Sequence, residues 1–233
     1  MYQAYQRDNH AVKNLILINV VMFIATLGGA YTFNLDLIRT LGLYYFDSEA
    51  FKPFQIATSM FMHGGITHIL FNMYGLWLFG SILERVWGPK KFLFYYFFTG
   101  LGASFLWMAA TAFDVYSVAG TIFANSADLA SLGAAEMEEL SRLYFTPVVG
   151  ASGALFGLLL AFGMLFPNTE LMLLFLPIPI KAKYFVIGYG LIELYLGFQR
   201  FSGDNVAHFA HLGGMLFGVI LLLLWKRDKQ TFY

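Results

Sequence analysis

An all-α membrane protein that crosses the bilayer six times is the fold class this sequence predicts, and three observations predict it. The 233 residues are 59% hydrophobic and only 12% charged, well above the apolar share and well below the charged share of a water-soluble domain. Six mostly apolar stretches approach the roughly 20 residues with which a helix crosses a hydrocarbon core about 30 Å thick. The polar residues that interrupt those stretches are few, and they gather toward the same end of alternate stretches.

The six stretches cover residues 15–32, 66–83, 92–112, 147–166, 184–198 and 206–225. The first has too long an apolar run for a cleaved signal peptide, and five more follow it. Residues 171–180 are apolar but half the needed length and carry Pro177 and Pro179, so they read as an interfacial connector. The organisation predicted is a short tail at 1–12, a membrane-embedded domain at 13–225 and a second short tail at 226–233.

Lysine and arginine in the flanks orient the spans. With both tails cytoplasmic, the inner side holds Arg7, Lys13, Arg85, Lys90, Lys91, Lys181, Lys183, Lys226, Arg227 and Lys229, against Arg39, Lys52, Arg142 and Arg200 outside. The two large outer connections are then 33–65 and 113–146. The first mixes apolar and charged residues, including Leu35, Leu37, Leu43, Tyr44 and Tyr45, as a segment lying in the outer interface does. The second carries Asp128, Glu136, Glu138 and Glu139 among alanines and leucines and reads as a short surface helix.

Charge and cysteine content exclude several functions. Fourteen basic and fourteen acidic side chains cancel, so no global field attracts nucleic acid. The absence of cysteine removes disulfides, thiol catalysis and thiolate metal sites. No H-E-x-x-H zinc motif occurs, and the glycine spacing around Ser152 is not the G-x-S-x-G of a hydrolase elbow. Neither metal nor organic cofactor is predicted.

Lipid cannot hydrogen-bond a polar group, so each polar residue within a span is a functional candidate. Span two carries His68 and Asn72, span four Ser152 and span six His211, all near the outer start of a span that runs inward. Ser152 and His211 each lie about five residues along, or about 8 Å at 1.5 Å per residue. Gly150/Ala154, Gly153/Gly157 and Gly214/Gly218 are small pairs four apart, which let helix backbones approach closely. Such an approach is what a Ser152–His211 hydrogen bond requires.

A serine hydroxyl becomes a nucleophile when an imidazole takes its proton. With no carboxylate assigned to that depth, a dyad is predicted rather than a triad; Glu193 on span five reads as snorkelling outward, and His208 as a rim residue. Acyl transfer also needs donors for an oxyanion. A helix starting at Ser152 exposes unpaired backbone N–H groups, Gly150 permits the turn that aims them, and His68 and Asn72 can add side-chain donors. For Asn72 an interhelical structural bond is an equal alternative.

The segments "HGGITHILFN" (His63, His68, Asn72), "GASG" with Ser152 and "AHLGGMLFG" (His211, Gly214, Gly218) occur in this order on spans two, four and six. Together they resemble the rhomboid family of intramembrane serine proteases, across nearly the whole chain from about Lys13 to Trp225. The resemblance implies Ser152 as nucleophile and His211 as general base and acid. It implies an oxyanion hole of His68, Asn72 and the Ala151 and Ser152 backbone N–H groups, with His63 supporting it and Glu84-Arg85 as a structural pair. Phe156 departs from the family, where a tyrosine commonly stacks on the catalytic histidine; the ring is kept and the hydroxyl lost.

What the resemblance implies for function is cleavage of other membrane proteins within or beside their transmembrane segments, near the outer face, at sites with helix-destabilising residues. Residues 199–205 read as a flexible cap over the opening. The predicted location is an integral, multi-pass protein of a bacterial-type inner membrane, its partners being lipid and membrane-protein substrates. A catalytically silent member of the fold is the first alternative. A channel or transporter is the second, disfavoured by the absence of internal repeats.

Overall fold

The computed structural model describes residues 9–124, 132–173, 176–199 and 207–227. Among the described residues, four helices are long and apolar enough to cross a membrane: His10–Phe33, Ile66–Trp87, Pro89–Ala119 and His208–Arg227. The other two expected crossings are helices as well, Ser152–Leu165 and Ala182–Gln199, of 14 and 18 residues. The first of these, the serine helix, is about 21 Å long and is shorter than the predicted 147–166 for a local reason. Val148 pairs with Leu43 through two 2.9 Å backbone bonds, which holds the lead-in extended until Gly150 turns it at φ +130°.

The serine helix lies at the centre of the bundle, packed against Pro89–Ala119 and against the histidine helix His208–Arg227. Ten of its residues, from Gly153 to Gly163, are buried. Other helices enclose this helix along most of its length, leaving Met164 near its C-terminal end exposed. Glycine makes the enclosure possible. A Cβ on Gly214 would overlap the carbonyl oxygen of Gly153, and one on Gly157 would lie 2.6 Å from Thr99 Cβ.

Ile66–Trp87 contains a π turn at Leu76–Gly80, where Val12 and Phe92 close on the bare face of Gly80. Near its C-terminal end Glu84 is 1% exposed, and its two carboxylate oxygens accept the Ala11 and Val12 backbone N–H groups at 2.9 Å. Glu84 therefore caps the first helix, satisfying donors that the helix start leaves unpaired. Arg85 is exposed, and its Nε–H donates to the Ser81 carbonyl. Glu84 and Arg85 thus act separately, the glutamate as a cap for the first helix and the arginine folded back along its own helix.

The first outer connection differs from a segment lying in the interface. Leu43, Tyr44 and Tyr45 are buried, because the segment folds under itself. Gln55 Nε2 donates to the Thr40 and Ala50 carbonyls, and the Thr58 hydroxyl to the Leu41 carbonyl. Tyr45 and Tyr144 pack edge to face at 5.2 Å, while Tyr144 donates to Asp47 at 2.8 Å. The expected surface helix of the second connection is Ala134–Phe145. Asp128 falls outside the described residues.

Residues 171–180 form neither helix nor plain connector. Glu170–Leu173 and Leu176–Lys181 are antiparallel strands with Glu170 opposite Lys181. A segment too short to span, carrying prolines that cannot donate, satisfies its remaining backbone groups by pairing with itself. The described residues are accordingly mostly helical, with one small ribbon. The expected cap at 199–205 lies, apart from Gln199, outside the described residues.

Candidate active site

Gly150 donates its backbone N–H to the Ser59 carbonyl at 2.9 Å and turns the chain, so that the helix begins at Ser152. The first intrahelical bond runs from the Leu155 N–H to the Ala151 carbonyl. The N–H groups of Ser152, Gly153 and Ala154 are left without intrahelical acceptors, directly beside the serine hydroxyl.

His211 stands one turn into the histidine helix, and its Nε2 lies 2.8 Å from Ser152 Oγ. The Phe156 ring stacks on the imidazole, with centroids 4.1 Å apart and planes inclined by 7°. Tyr189 packs on Phe156 in turn, at 5.0 Å. Phenylalanine at 156 thus provides the stack on His211 without a hydroxyl. Gly214, one turn beyond His211, gives the close crossing that puts the two side chains in reach, whereas Gly218 packs further along against Tyr95 and Leu160.

His68 occupies the other side of the serine. A Cβ on Gly150 would lie 2.7 Å from His68 Nε2 and 3.6 Å from Ser152 Oγ. The His68 Nε2 and the serine hydroxyl therefore face the same space, which only glycine at 150 leaves empty. The Gly64 N–H approaches His68 Nδ1 at 3.4 Å, an arrangement that favours the proton on Nε2, pointing at that space. His63 packs edge-on against His68 at 5.0 Å and is 1% exposed. Burial, and next the neighbouring His68 ring, lower its pKa to about 4, so it is a neutral prop at neutral pH. Asn72, one turn along from His68, is buried with its Nδ2 unbonded among the described residues. A small pocket lined by Ser59, Ser104, Gly150, Ser152 and Ala210 reaches the serine from the side.

Glu193 and His208 lie elsewhere than the sequence predicts. Glu193 does not snorkel: it is 3% exposed, and its Oε2 lies 2.9 Å from His211 Nδ1 and 2.6 Å from His208 Nδ1. His208 is not a rim residue, being 7% exposed. A carboxylate is thus present at the depth where none was assigned. The signal that locates it is the spacing of Gly190, Glu193 and Gly197 at i, i+3 and i+7, which puts the acid on the small-residue face of its helix. Gly197 meets His208 Cβ, and Gly190 meets Met215. Donor atoms of Glu193, His208 and His211 lie within 4.8 Å of one another, but at 2.6 and 2.9 Å the spacings are those of N–H···O bonds.

Fold and site together define a polytopic helical membrane protein with a serine–imidazole pair sunk among its helices. A profile of the rhomboid domain matches residues 50–227, more than half of the chain, and the protein belongs to the rhomboid family. It is 26% identical over 225 residues to chloroplastic rhomboid-like protein 16 of Arabidopsis thaliana, covering 95% of this chain and 63% of that one. Mitochondrial rhomboid-like protein 12 of the same plant is 28% identical, covering 96% and 60%. The mitochondrial presenilin-associated rhomboid-like protein of Homo sapiens is 27% identical over 208 residues, covering 83% and 45%. The chain therefore spans less than two thirds of the length of these relatives. Their organellar names give no support to a bacterial-type plasma membrane; what stands is a protein with membrane-spanning helices.

Proposed function

We propose that this protein is an intramembrane serine endopeptidase, crossing the bilayer six times, that cleaves transmembrane or membrane-proximal segments of other membrane proteins near the outer leaflet. The observation that carries the reading is the 2.8 Å contact between Ser152 Oγ and His211 Nε2, with the ring held on Phe156. In this reading the serine proton passes to Nε2 as Oγ bonds to the scissile carbonyl carbon. The developing oxyanion meets the backbone N–H groups at the start of the serine helix, the His68 Nε2–H and the otherwise unbonded Asn72 amide. His211 then returns its proton to the leaving amine, and water releases the acyl group by the same route in reverse.

A peptide bond inside a helix is shielded by its own hydrogen bonds. Substrates are therefore expected to carry small or helix-breaking residues near the cut. The excess of lysine and arginine in the flanks supports an orientation with both tails cytoplasmic and the serine opening to the opposite face.

The test is cleavage of single-span substrates by the protein in proteoliposomes, together with labelling by a fluorophosphonate. Wild type should cleave and label, whereas Ser152→Ala and His211→Ala should do neither while remaining folded. Labelling that persists in Ser152→Ala removes the nucleophile assignment, and a wild type that neither labels nor cleaves is a silent member of the family.

A further inference from the structure

The geometry points to a role for Glu193 as the positioning residue of a Ser152–His211–Glu193 triad, braced by His208. This inference rests on the serine protease reading and concerns how its base is held.

The Phe156 stack sets the plane of the His211 ring, but a half-turn about the Cβ–Cγ bond keeps that plane while exchanging the positions of the ring nitrogens with those of carbons. A partner at Nδ1 holds the ring against that flip and keeps Nε2 aimed at Ser152. Glu193 Oε2 supplies it at 2.9 Å. A carboxylate only accepts hydrogen bonds, so it holds the neutral imidazole with its proton on Nδ1 and the lone pair of Nε2 toward the serine hydroxyl. Without it, a proton on Nε2 would present a donor to Ser152 and block proton abstraction. During attack the serine proton moves to Nε2 as the Oγ–carbon bond forms. The Nδ1 proton stays on His211, Glu193 stays ionised, and its charge offsets the imidazolium in a site shielded from water.

His208 fits the same device. It stands one turn before His211 on the same helix, and its Nδ1 lies 2.6 Å from the same carboxylate oxygen. Two rings on one oxygen fix the rotamer of Glu193, and Gly197 lets His208 Cβ approach the glutamate helix closely. A carboxylate 3% exposed is held in a bundle only with such partners.

The test joins kinetics to spectroscopy. Glu193→Gln keeps size and one acceptor but removes the charge and the selection of tautomer. It should lower kcat for a reconstituted substrate by about 10²–10⁴-fold with KM within about threefold. A merely structural role would move the thermal midpoint without that split. The chain has five histidines, so histidine-selective ¹⁵N labelling of the wild type resolves the His211 ring, assigned by its loss in His211→Gln. At pH 8 the ring should show a protonated Nδ1 and an unprotonated Nε2. This second measurement needs no Glu193 variant to fold. The inference is overturned by the opposite tautomer in wild type, or by a folded Glu193→Gln whose kcat stays within threefold. Activity persisting in Ser152→Ala would instead remove the parent reading.

Discussion

Gly214→Ala is the substitution through which the packing argument is most exposed to refutation. The added Cβ would overlap the Gly153 carbonyl oxygen and lie 2.8 Å from the Gly153 carbonyl carbon. Both are backbone atoms of a helix and cannot swing aside. Ordinary contact requires the serine and histidine helices to part locally by about 1 Å or more, at a cost of about 1–3 kcal/mol typical of overpacking. Gly153 adjoins Ser152, and Gly214 is one turn from His211, so the separation falls on the reacting pair. A Ser152–His211 contact of 2.8 Å lengthened by that amount is no longer a hydrogen bond. Misplacement of about 1 Å costs on the order of 10²-fold in rate. Gly218→Ala is the control: its Cβ would meet the Tyr95 hydroxyl and, at 3.2 Å, Leu160 Cδ2, side chains rather than the serine helix's backbone, two turns from His211; its cost falls on stability, because the buried Tyr95 hydroxyl donates to the Gly157 carbonyl. The assay is substrate cleavage in proteoliposomes with the thermal midpoint measured alongside. Gly214→Ala should lose about 100-fold in kcat and Gly218→Ala less than about tenfold. Equal losses, or Gly214→Ala within threefold of wild type, would refute the claim that this crossing sets the catalytic contact.

Three further outcomes are expected. Asn72→Ala should reduce cleavage by about 10–10³-fold without abolishing it, since the proposed mechanism gives the oxyanion several donors and this removes one; unchanged kcat would assign Asn72 to structure alone. Glu84→Ala should lower stability by about 2–3 kcal/mol, read as a drop in thermal midpoint in detergent, because two buried helix N–H groups lose a charged acceptor; no drop would exclude the cap as a source of stability. His63, lowered to about 4 by burial and the nearby His68 ring, takes its proton near 6.5 when unfolded but only near 4 when folded. Its contribution, about 3 kcal/mol, is present above pH 6.5 and is lost as pH falls toward 4. Wild type should therefore lose thermal stability between pH 7 and pH 4.5 more steeply than His63→Phe, and parallel curves would sink the assignment.

The apolar helices and the residues of the site were legible to very different degrees. Ser152, His211, His68 and Asn72 stand out as polar residues in apolar stretches, and the glycines beside them announce a close crossing. The structure brings Ser152, His211 and His68 around one space at Gly150. Glu193 carries the same signal of a polar group in an apolar span, but the sequence leaves open both a snorkelling direction and a partner inside the bundle. The buried Leu43–Tyr45 segment was misplaced for a related cause: its apolar residues suit a lipid interface and a protein interior equally well.

Composition, length and spacing by themselves determined that this chain forms apolar helices, how deep each polar group sits along its helix, and which backbones can touch. Only the tertiary structure decided toward what each polar group turns. Hydropathy orders residues along the membrane normal, but rotation about a helix axis, 100° for each residue, is chosen by the neighbours. That rotation turned Glu193 inward onto His208 and His211 rather than outward to water.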